Sequence, residues 1–400
     1  MRELSIYIHI PFCVRKCLYC DFLSASADAE KMESYVNLLL REIKEQSLYY
    51  GDHCVISIFL GGGTPSLLPA EAAGRILGQI RENYPVAADV EITMECNPGT
   101  VTAEKLGNYM AHGINRLSLG LQSTEDEDLA RIGRIHSYRD FLETYTLARE
   151  AGFRNINIDL MAALPGQSVG SYRRTLERVV KLSPEHISAY SLILEEGTPL
   201  YVNQSCYTFP TEDEDREMYA LTGKYLAEAG YQRYEISNYA RDGFACRHNR
   251  VYWRRGDYVG FGLGASSMVE NVRWRNPREH EAYAVYVDHL GKQRSGQTVS
   301  NHVAGADVWA ARMKRAGSDG VQALTREEQM EEFMFLGLRL MEGVDLGEFQ
   351  RAFGMPVEEV YGKPVTELEA QGLLVRRGDR LSLTPRGIDV SNVVFAEFLI

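Results

Sequence analysis

The chain has 400 residues, of which 45% are hydrophobic, and its formal net charge is −12. This length allows one large core and a second, smaller domain, whereas the acidic balance disfavours broad contact with nucleic acid or an anionic membrane surface. No apolar run approaches the roughly 20 residues of a membrane-spanning helix, and the first residues lack a signal-peptide pattern, so we expect a cytoplasmic protein without a transmembrane segment.

The first half of the chain alternates short β-branched runs with amphipathic stretches. The strands predicted from this pattern are residues 5–10, 55–60, 90–95, 116–122, 155–161 and 186–194. The helices predicted between them are residues 31–47, 69–83, 102–112, 138–151 and 168–182. Such alternation predicts a parallel sheet. The pattern alone does not decide between a doubly wound open sheet and a partial barrel.

Cysteines, glycines and isolated polar residues gather at the ends of the predicted strands. The first strand runs into the segment that begins at Cys13, the second into residues 61–65, the third ends at Glu95, the fourth ends at Gln122, and the fifth carries Asp159. The carboxyl ends of parallel strands share one face, where α/β folds place their active sites. The sequence therefore predicts a functional site on this face.

The second half of the chain has a different pattern. A helix is predicted at 212–229 and a strand at 233–239. Residues 258–265 form a glycine-spaced apolar run without the strand-turn-helix context of a dinucleotide site, so we interpret them as packing. Helices followed by a hairpin at 373–383 suggest a winged-helix-like module.

This module, residues 321–400, contains 8 Lys and Arg against 14 Asp and Glu, which favours contact with protein over contact with DNA. We therefore predict three parts: a barrel core over 1–240, a connecting region over 241–320, and a small C-terminal domain over 321–400.

Cys13, Cys17 and Cys20 form a CxxxCxxC motif and are three of seven cysteines. In a cytoplasmic chain an odd number of cysteines indicates a metal site with free thiols, not a disulfide framework. Three thiolates can hold three irons of a [4Fe-4S] cluster and leave the fourth iron open to another ligand. The alternative is a zinc ion with His9 or Asp21 as its fourth ligand.

This motif follows a first strand and has Tyr19 before its last cysteine, and in both respects it resembles the radical S-adenosylmethionine (SAM) superfamily. The resemblance implies a partial parallel (β/α)6 barrel, with a [4Fe-4S] cluster on the three cysteines and SAM on the open iron. It also implies that SAM is held by the glycine segment and by polar residues near the strand ends. These positions are Tyr7, Tyr19, Gly62, Gly63, Thr64, Glu95, Gln122, Arg134 and Asp159.

Longer motifs resemble the HemN/HemW branch of that superfamily, namely residues 6–13, 61–68, 91–99, 164–167 and 248–253. Two features separate the chain from the porphyrinogen-oxidising members of the branch. Asp21 and Phe22 follow Cys20, so the fourth cysteine of their CxxxCxxCxC motif is missing, and few residues precede the first strand. The chain is instead similar to the haem-chaperone members, which share an HNxxYW signature.

Similarity to the haem chaperones implies that His248 in this signature binds haem iron, with Tyr252 and Trp253 beside the macrocycle. Cys246 is an alternative ligand, and a hydrogen-bonded core histidine is the competing interpretation of His248. The sequence has no CxxCH motif, so c-type attachment of haem is not expected.

We therefore expect a chaperone that binds haem, holds the cluster and SAM, and transfers haem to acceptor proteins, with a homodimer as a further implication of the resemblance. The alternative is an oxygen-independent coproporphyrinogen III dehydrogenase that uses a 5′-deoxyadenosyl radical. Radical modification of RNA or protein is a third reading, and the acidic C-terminal module disfavours RNA. Binding residues do not decide whether SAM is cleaved, so the sequence leaves enzymatic activity open.

Ala163 stands where relatives often have glycine, close to Asp159.

Overall fold

The apolar runs of the first half form the parallel strands of a large sheet in a computed structural model that describes residues 1–295 and 305–400. The strands are β1 (Arg2–Ile10), β2 (His53–Gly62), β3 (Val86–Cys96), β4 (Arg116–Gln122), β5 (Ile156–Ala162), β6 (His186–Ser191), β7 (Gln232–Arg233), β8 (Asn238–Ala240), β9 (Tyr258–Phe261), β10 (Ser266–Val269), β11 (Val272–Arg275), β12 (Asp319–Ala323), β13 (Val344–Asp345), β14 (Leu374–Arg377) and β15 (Arg380–Leu383).

The α-helices begin and end as follows: α1 (Ala29–Gln46), α2 (Ala70–Asn83), α3 (Ala103–Ala111), α4 (Asp126–Arg131), α5 (Tyr138–Ala151), α6 (Val169–Leu182), α7 (Pro199–Val202), α8 (Glu212–Glu228), α9 (Arg247–Trp253), α10 (His280–Ser295), α11 (Ala306–Ala316), α12 (Arg326–Gly337), α13 (Leu346–Phe353), α14 (Val357–Ala370), α15 (Pro385–Asp389) and α16 (Ser391–Ala396). None of the helices in the described ranges combines the length and the hydropathy of a bilayer-spanning segment.

Strands β1 to β6 lie side by side in chain order and are all parallel, which confirms the predicted (β/α)6 arrangement. Beyond β6 the sheet continues with β8 and β7, both antiparallel to their neighbours. On the other side β1 pairs with β9 in parallel, with Ser5 opposite Tyr258, and β10, β11 and β12 follow. The glycine-spaced run that was predicted as packing thus includes a strand in the middle of the sheet.

Side chains alternate along the barrel strands between an apolar outer face and a largely polar inner face. On β1 the residues Leu4, Ile6 and Ile8 are fully buried, while the interleaved Ser5 and Tyr7 carry polar groups. A strand places successive side chains on opposite faces. The outer face packs against helices, and the inner face is therefore left to polar side chains that must bond one another.

The C-terminal module has its own apolar core, which includes Phe349, Tyr361 and Leu381. Helices followed by the β14–β15 hairpin are confirmed there. Buried Glu332 joins the module to the main sheet region through Arg255 at 3.1 Å and Arg273 at 2.9 Å.

The division into three parts stays a prediction. Its boundary at residue 240 falls within the large sheet, because β9 to β12 extend that sheet from β1. Its boundary at residue 320 falls within β12. Residues 296–304 of the predicted connecting region lie outside the described residues.

Glu42 on α1 joins the first half of the chain to the second. Its carboxylate accepts hydrogen bonds from the Gly262 amide at 2.8 Å, the Asn276 side-chain amide at 2.7 Å and the Tyr283 hydroxyl at 2.6 Å. Burial raises the pKa of Glu42 from 4.5 to about 7, although these hydrogen bonds favour the ionised form. The connection between α1, β9 and α10 therefore depends on a buried titratable group.

Replacing Glu42 should change how stability depends on pH. Because the folded chain holds this proton more tightly than the unfolded chain, the contribution of Glu42 to stability falls as pH rises from about 4.5 to about 7. Glu42→Gln should remove that decline, while lowering stability overall, since an amide cannot accept from every donor now present. Thermal unfolding from pH 4.5 to 8 measures both effects. Glu30→Gln, at an exposed position of the same helix, should retain the wild-type pH dependence.

Candidate functional site

The predicted face of the sheet contains a cavity of about 370 Å³ at the carboxyl ends of the barrel strands. It is lined by all three motif cysteines and by eight of the residues predicted to hold SAM: Tyr19, Gly62, Gly63, Thr64, Glu95, Gln122, Arg134 and Asp159. The sequence analysis did not select Asn97, Ser118, Met161 and Tyr190, which also line it. Asn97 lies in the 91–99 motif and Ser118 lies on the predicted strand 116–122, so the motif and the strand alternation could have indicated them.

The cysteine loop, residues 13–24, is closed at its base by main-chain pairing. Phe12 forms a β-bridge with Ala25. The Ala25 amide donates to the Pro11 carbonyl at 2.9 Å, and the Cys13 amide donates to the Ala25 carbonyl at 3.1 Å. All three cysteines of the loop are partly exposed free thiols. The loop thus leaves β1 and returns to the same point, which presents its thiols to the cavity.

The glycine segment, residues 61–64, lies against the base of this loop. The Gly63 amide donates to the Ile10 carbonyl at 2.9 Å, and the Thr64 amide donates to the Phe12 carbonyl at 2.7 Å. A Cβ on Gly63 would lie 2.6 Å from the Phe12 oxygen, so only glycine permits this approach. The Gly62 amide donates to Glu95 at 3.1 Å. The main-chain amides of Gly62, Gly63 and Thr64 are thus all engaged within the protein.

Arg134 is a cation inside the cavity that contacts one of the motif cysteines. One guanidinium nitrogen lies 3.6 Å from the Cys17 sulfur, and another donates to the Asn97 side chain at 3.0 Å and to the Gly120 carbonyl. Its buried Nε has no hydrogen-bond partner among the described residues. This guanidinium can therefore stabilise a thiolate and still donate to a ligand.

Two carboxyl groups occupy the floor of the cavity. Burial, followed by the charge of Asp159, raises the pKa of Glu95 to about 8. Asp159 accepts hydrogen bonds from the Ser118 hydroxyl at 3.1 Å and the Asn157 amide at 2.7 Å, while burial raises its pKa as well. Side-chain carboxyls at strand ends are suited to bind ligand hydroxyls.

Tyr7, by contrast, lies below the cavity and does not line it. Its hydroxyl is 3.0 Å from Nδ1 of His9, and its ring stacks on Phe59 with centroids 6.4 Å apart. Nε2 of His9 bonds the Leu23 carbonyl at 2.8 Å. Both nitrogens of His9 are thus engaged, which removes it as the fourth ligand of a zinc ion.

His248 is not at the cavity either. It lies on α9, is 1% exposed, and stacks on Phe59 with centroids 5.1 Å apart. Its Nδ1 bonds the Ser57 hydroxyl at 2.9 Å, and its Nε2 bonds the Tyr252 hydroxyl at 2.8 Å. Burial, followed by the charge of Arg116, lowers its pKa to about 3. The structure therefore shows the hydrogen-bonded core histidine, and haem ligation by His248 would require α9 to leave the barrel.

The residues around His248 in the HNxxYW segment also contact other parts of the protein. Glu91 accepts hydrogen bonds from the Arg247 and His248 amides, both at 3.1 Å, at the start of α9. Cys246 is fully buried, and burial raises the pKa of its thiol to about 12. On the other side of the helix the Arg339 guanidinium lies 4.3 Å from the centre of the Trp253 ring. The HNxxYW segment thus joins the barrel interior to the C-terminal module.

Comparisons with known proteins agree with this geometry. Residues 7–179 match the Radical SAM superfamily, and residues 324–390 match the HemN C-terminal domain. "Heme chaperone HemW" of Escherichia coli is 36% identical and covers 100% of this chain and 99% of its own. The protein of the same name from Lactococcus lactis is 33% identical, over 99% and 97% of the two chains.

A solved structure of coproporphyrinogen III oxidase (HemN) from Escherichia coli superposes with a TM-score of 0.80 at 23% identity. It covers 100% of this chain and 90% of its own. At that identity the likeness extends to the fold alone.

Gly63→Ala should disturb the base of the cysteine loop. The added methyl group would meet the Phe12 carbonyl, and overpacking of this kind destabilises by about 1–3 kcal/mol. The amount of iron bound per chain after anaerobic reconstitution should fall as well, because the base of the cysteine loop is displaced. Gly78→Ala is the matched control, because its Cβ meets nothing within 4 Å on α2, and it should stabilise by about 0.5–1 kcal/mol. Equal iron content in both variants would contradict the requirement for close approach.

Ala163→Gly should stabilise the chain. Ala163 follows β5 with φ of 58°, a left-handed conformation that costs an L-residue about 1–2 kcal/mol. Since glycine loses about 0.5–1 kcal/mol of backbone entropy, the expected gain in the free energy of unfolding is about 0.5–1 kcal/mol. Denaturant titration measures it. Ala162→Gly, one residue earlier within β5, should instead destabilise by about 0.5–1 kcal/mol.

Proposed function

The chain belongs to the HemW family of the radical SAM superfamily, and on that premise we propose that it is a haem chaperone, which binds haem and delivers it to acceptor proteins. Membership of the superfamily implies a [4Fe-4S] cluster and SAM. The observation that carries the proposal is identity of 33–36% to curated haem chaperones over essentially the full length of both chains.

The cavity fits an iron-sulfur cluster with one open iron. Cys13, Cys17 and Cys20 would each bind an iron, and the Arg134 guanidinium next to Cys17 would offset thiolate charge. Within the described ranges no three His, Cys, Asp or Glu side chains are grouped closely enough to hold one metal ion. A cluster spreads its cysteines over separate irons, so this spacing favours a cluster over zinc.

The remaining lining residues fit SAM. Glu95 and Asp159 would bind the ribose hydroxyls, the glycine segment would accept from the methionyl amine, and Arg134 would donate to the methionyl carboxylate. Tyr19 and Gln122 would pack along the ligand. A cluster bound here would supply one-electron reducing chemistry, and these residues would bind, orient and shield the ligand.

Three further features of the proposal rest on the sequence and the family. The acceptor would be a protein that contacts the acidic C-terminal module, the functional unit would be a homodimer, and the location would be the cytoplasm. His248 as the haem ligand stays a prediction, because ligation needs a state in which α9 has moved.

The competing function is coproporphyrinogen dehydrogenation. The likeness to HemN is one of fold, and Phe22 stands where the fourth cysteine of the oxidising members would be. Incubation of the reconstituted protein with coproporphyrinogen, SAM and a reductant tests this reading. Stoichiometric protoporphyrinogen would overturn the chaperone proposal.

Reconstituted protein should bind haem saturably at one per chain and contain about four irons before haem is added. Cys17→Ala should lose most of that iron, because the loop then has only two thiolates. Cys206→Ala is the matched control, since Cys206 is an exposed free thiol outside the cavity, and its iron content should equal that of wild type. Iron analysis and absorbance titration measure both quantities. Weak, non-saturable haem binding would contradict the proposal.

A further inference from the structure

A chain of polar side chains connects two of the motif cysteines along the wall of the cavity. The Cys13 sulfur lies 3.5 Å from the Thr64 hydroxyl, and the Asn97 side-chain amide donates to that hydroxyl at 2.7 Å. The Arg134 guanidinium donates to the Asn97 side-chain oxygen at 3.0 Å, and another of its nitrogens lies 3.6 Å from the Cys17 sulfur. We call Thr64, Asn97 and Arg134 the polar bridge. Each end of the polar bridge thus contacts a cysteine sulfur.

The orientation of the Asn97 side chain is determined by its two neighbours. A guanidinium can only donate hydrogen bonds, so the Asn97 atom that faces Arg134 is the amide oxygen. The NH2 group therefore faces Thr64 and donates to its hydroxyl oxygen. That hydroxyl has one hydrogen of its own to donate, and its second neighbour is the Cys13 sulfur. Because a cysteine sulfur bound to iron has no proton and can only accept, the Thr64 hydroxyl would donate to it.

Asn97 is held in place by a turn that directly follows β3. Its main-chain carbonyl accepts hydrogen bonds from the Thr100 amide at 3.2 Å and from the Thr100 hydroxyl at 2.6 Å. Its main-chain amide donates to the Ser66 hydroxyl at 3.4 Å. The Ser66 and Thr100 hydroxyls lie 2.6 Å apart, which links the two supports. The main chain of Asn97 is therefore fixed on both sides, and its side chain can hold Thr64 and Arg134 in a defined geometry.

From this geometry we propose that Asn97 is a positioning residue that raises the reduction potential of the iron-sulfur cluster by directing one donor to each of two cysteine sulfurs. Hydrogen bonds to the sulfurs are among the factors that set the potential of such clusters. Reduction adds one negative charge, so donors aimed at the sulfurs stabilise the reduced form more than the oxidised form. The inference rests on the cluster of the proposed function and goes beyond it, because Asn97 acts through Thr64 and Arg134.

The test measures the midpoint potential of the cluster in the full chain after anaerobic reconstitution, by redox titration with dithionite and electron paramagnetic resonance. SAM is left out, so that altered SAM binding does not contribute. Asn97→Ala should lower the potential, because both donors lose their alignment. At a fixed solution potential the ratio of reduced to oxidised cluster should fall by about 2- to 10-fold, the factor that corresponds to one lost hydrogen bond. For a one-electron couple this is a shift of about 20–60 mV.

Variants of Thr64 distinguish positioning from a general loss of structure. Thr64→Val removes the hydroxyl and nearly retains the shape of the side chain, so it should also lower the potential. Thr64→Ser keeps the hydroxyl and should restore the potential relative to Thr64→Val. If Asn97 acts through Thr64, Thr64→Val should shift the potential less in the Asn97→Ala background than in wild type. A merely structural role of Asn97 would not produce this coupling.

Asn37→Ala is the matched control and should have the wild-type potential. Asn37 also accepts a hydrogen bond from an arginine, Arg75, but it is exposed on α1 and does not line the cavity. About four irons per chain show that a variant has assembled the cluster, and if Asn97→Ala does not reach this content, Thr64→Val decides alone. If wild type itself assembles no cluster, the proposed cluster fails. If wild type assembles it and the assembled variants keep its potential, the cluster stands and the positioning role of Asn97 is overturned.

Discussion

The close approach of two main chains, Gly63 against Phe12, is the constraint on which the functional end of this protein depends. The end of β2 contacts the chain that leaves β1 through two backbone hydrogen bonds, with no room for a side chain between them. The bridge from Phe12 to Ala25 then closes the cysteine loop on the same point. This arrangement fixes the loop, which presents its three thiols to the cavity at the carboxyl ends of the barrel strands.

The polar interior of the barrel explains the position of the HNxxYW segment. Inner-face groups such as Ser57 and Glu91 are buried and need partners, and α9 supplies them through His248 and its amides. The rings of Tyr7, Phe59 and His248 stack in sequence through this interior, from below the cavity that the cysteines line to α9. A sequence signature that looks like a ligand set is thus, in this conformation, the packing between the barrel and the C-terminal module.

The parts of the structure that were predicted correctly are those that depend on local sequence patterns. Alternation of β-branched runs and helical periods located β1 to β6, and the resemblance located the three cysteines and eight further residues among the 20 that line the cavity. The pairing of β9 with β1 was not foreseen, because it depends on a contact between residues far apart in the chain. Tyr7 lies below the cavity, and His248 is hydrogen-bonded inside the barrel. Residue type shows that a side chain can bind a ligand, whereas only the fold shows whether a neighbour already occupies it.

The position of β1 in the sheet also bears on how the protein is made. This strand is translated long before its neighbour β9, which begins at Tyr258. Contacts between such distant segments form slowly, because the entropy cost of closing a long loop comes before the stabilisation from strand pairing. During synthesis one edge of the strand that carries the cysteine loop therefore stays unpaired until most of the protein has been translated. A cluster on this loop would therefore be inserted late in folding, once β9 has paired with the strand that carries the cysteines.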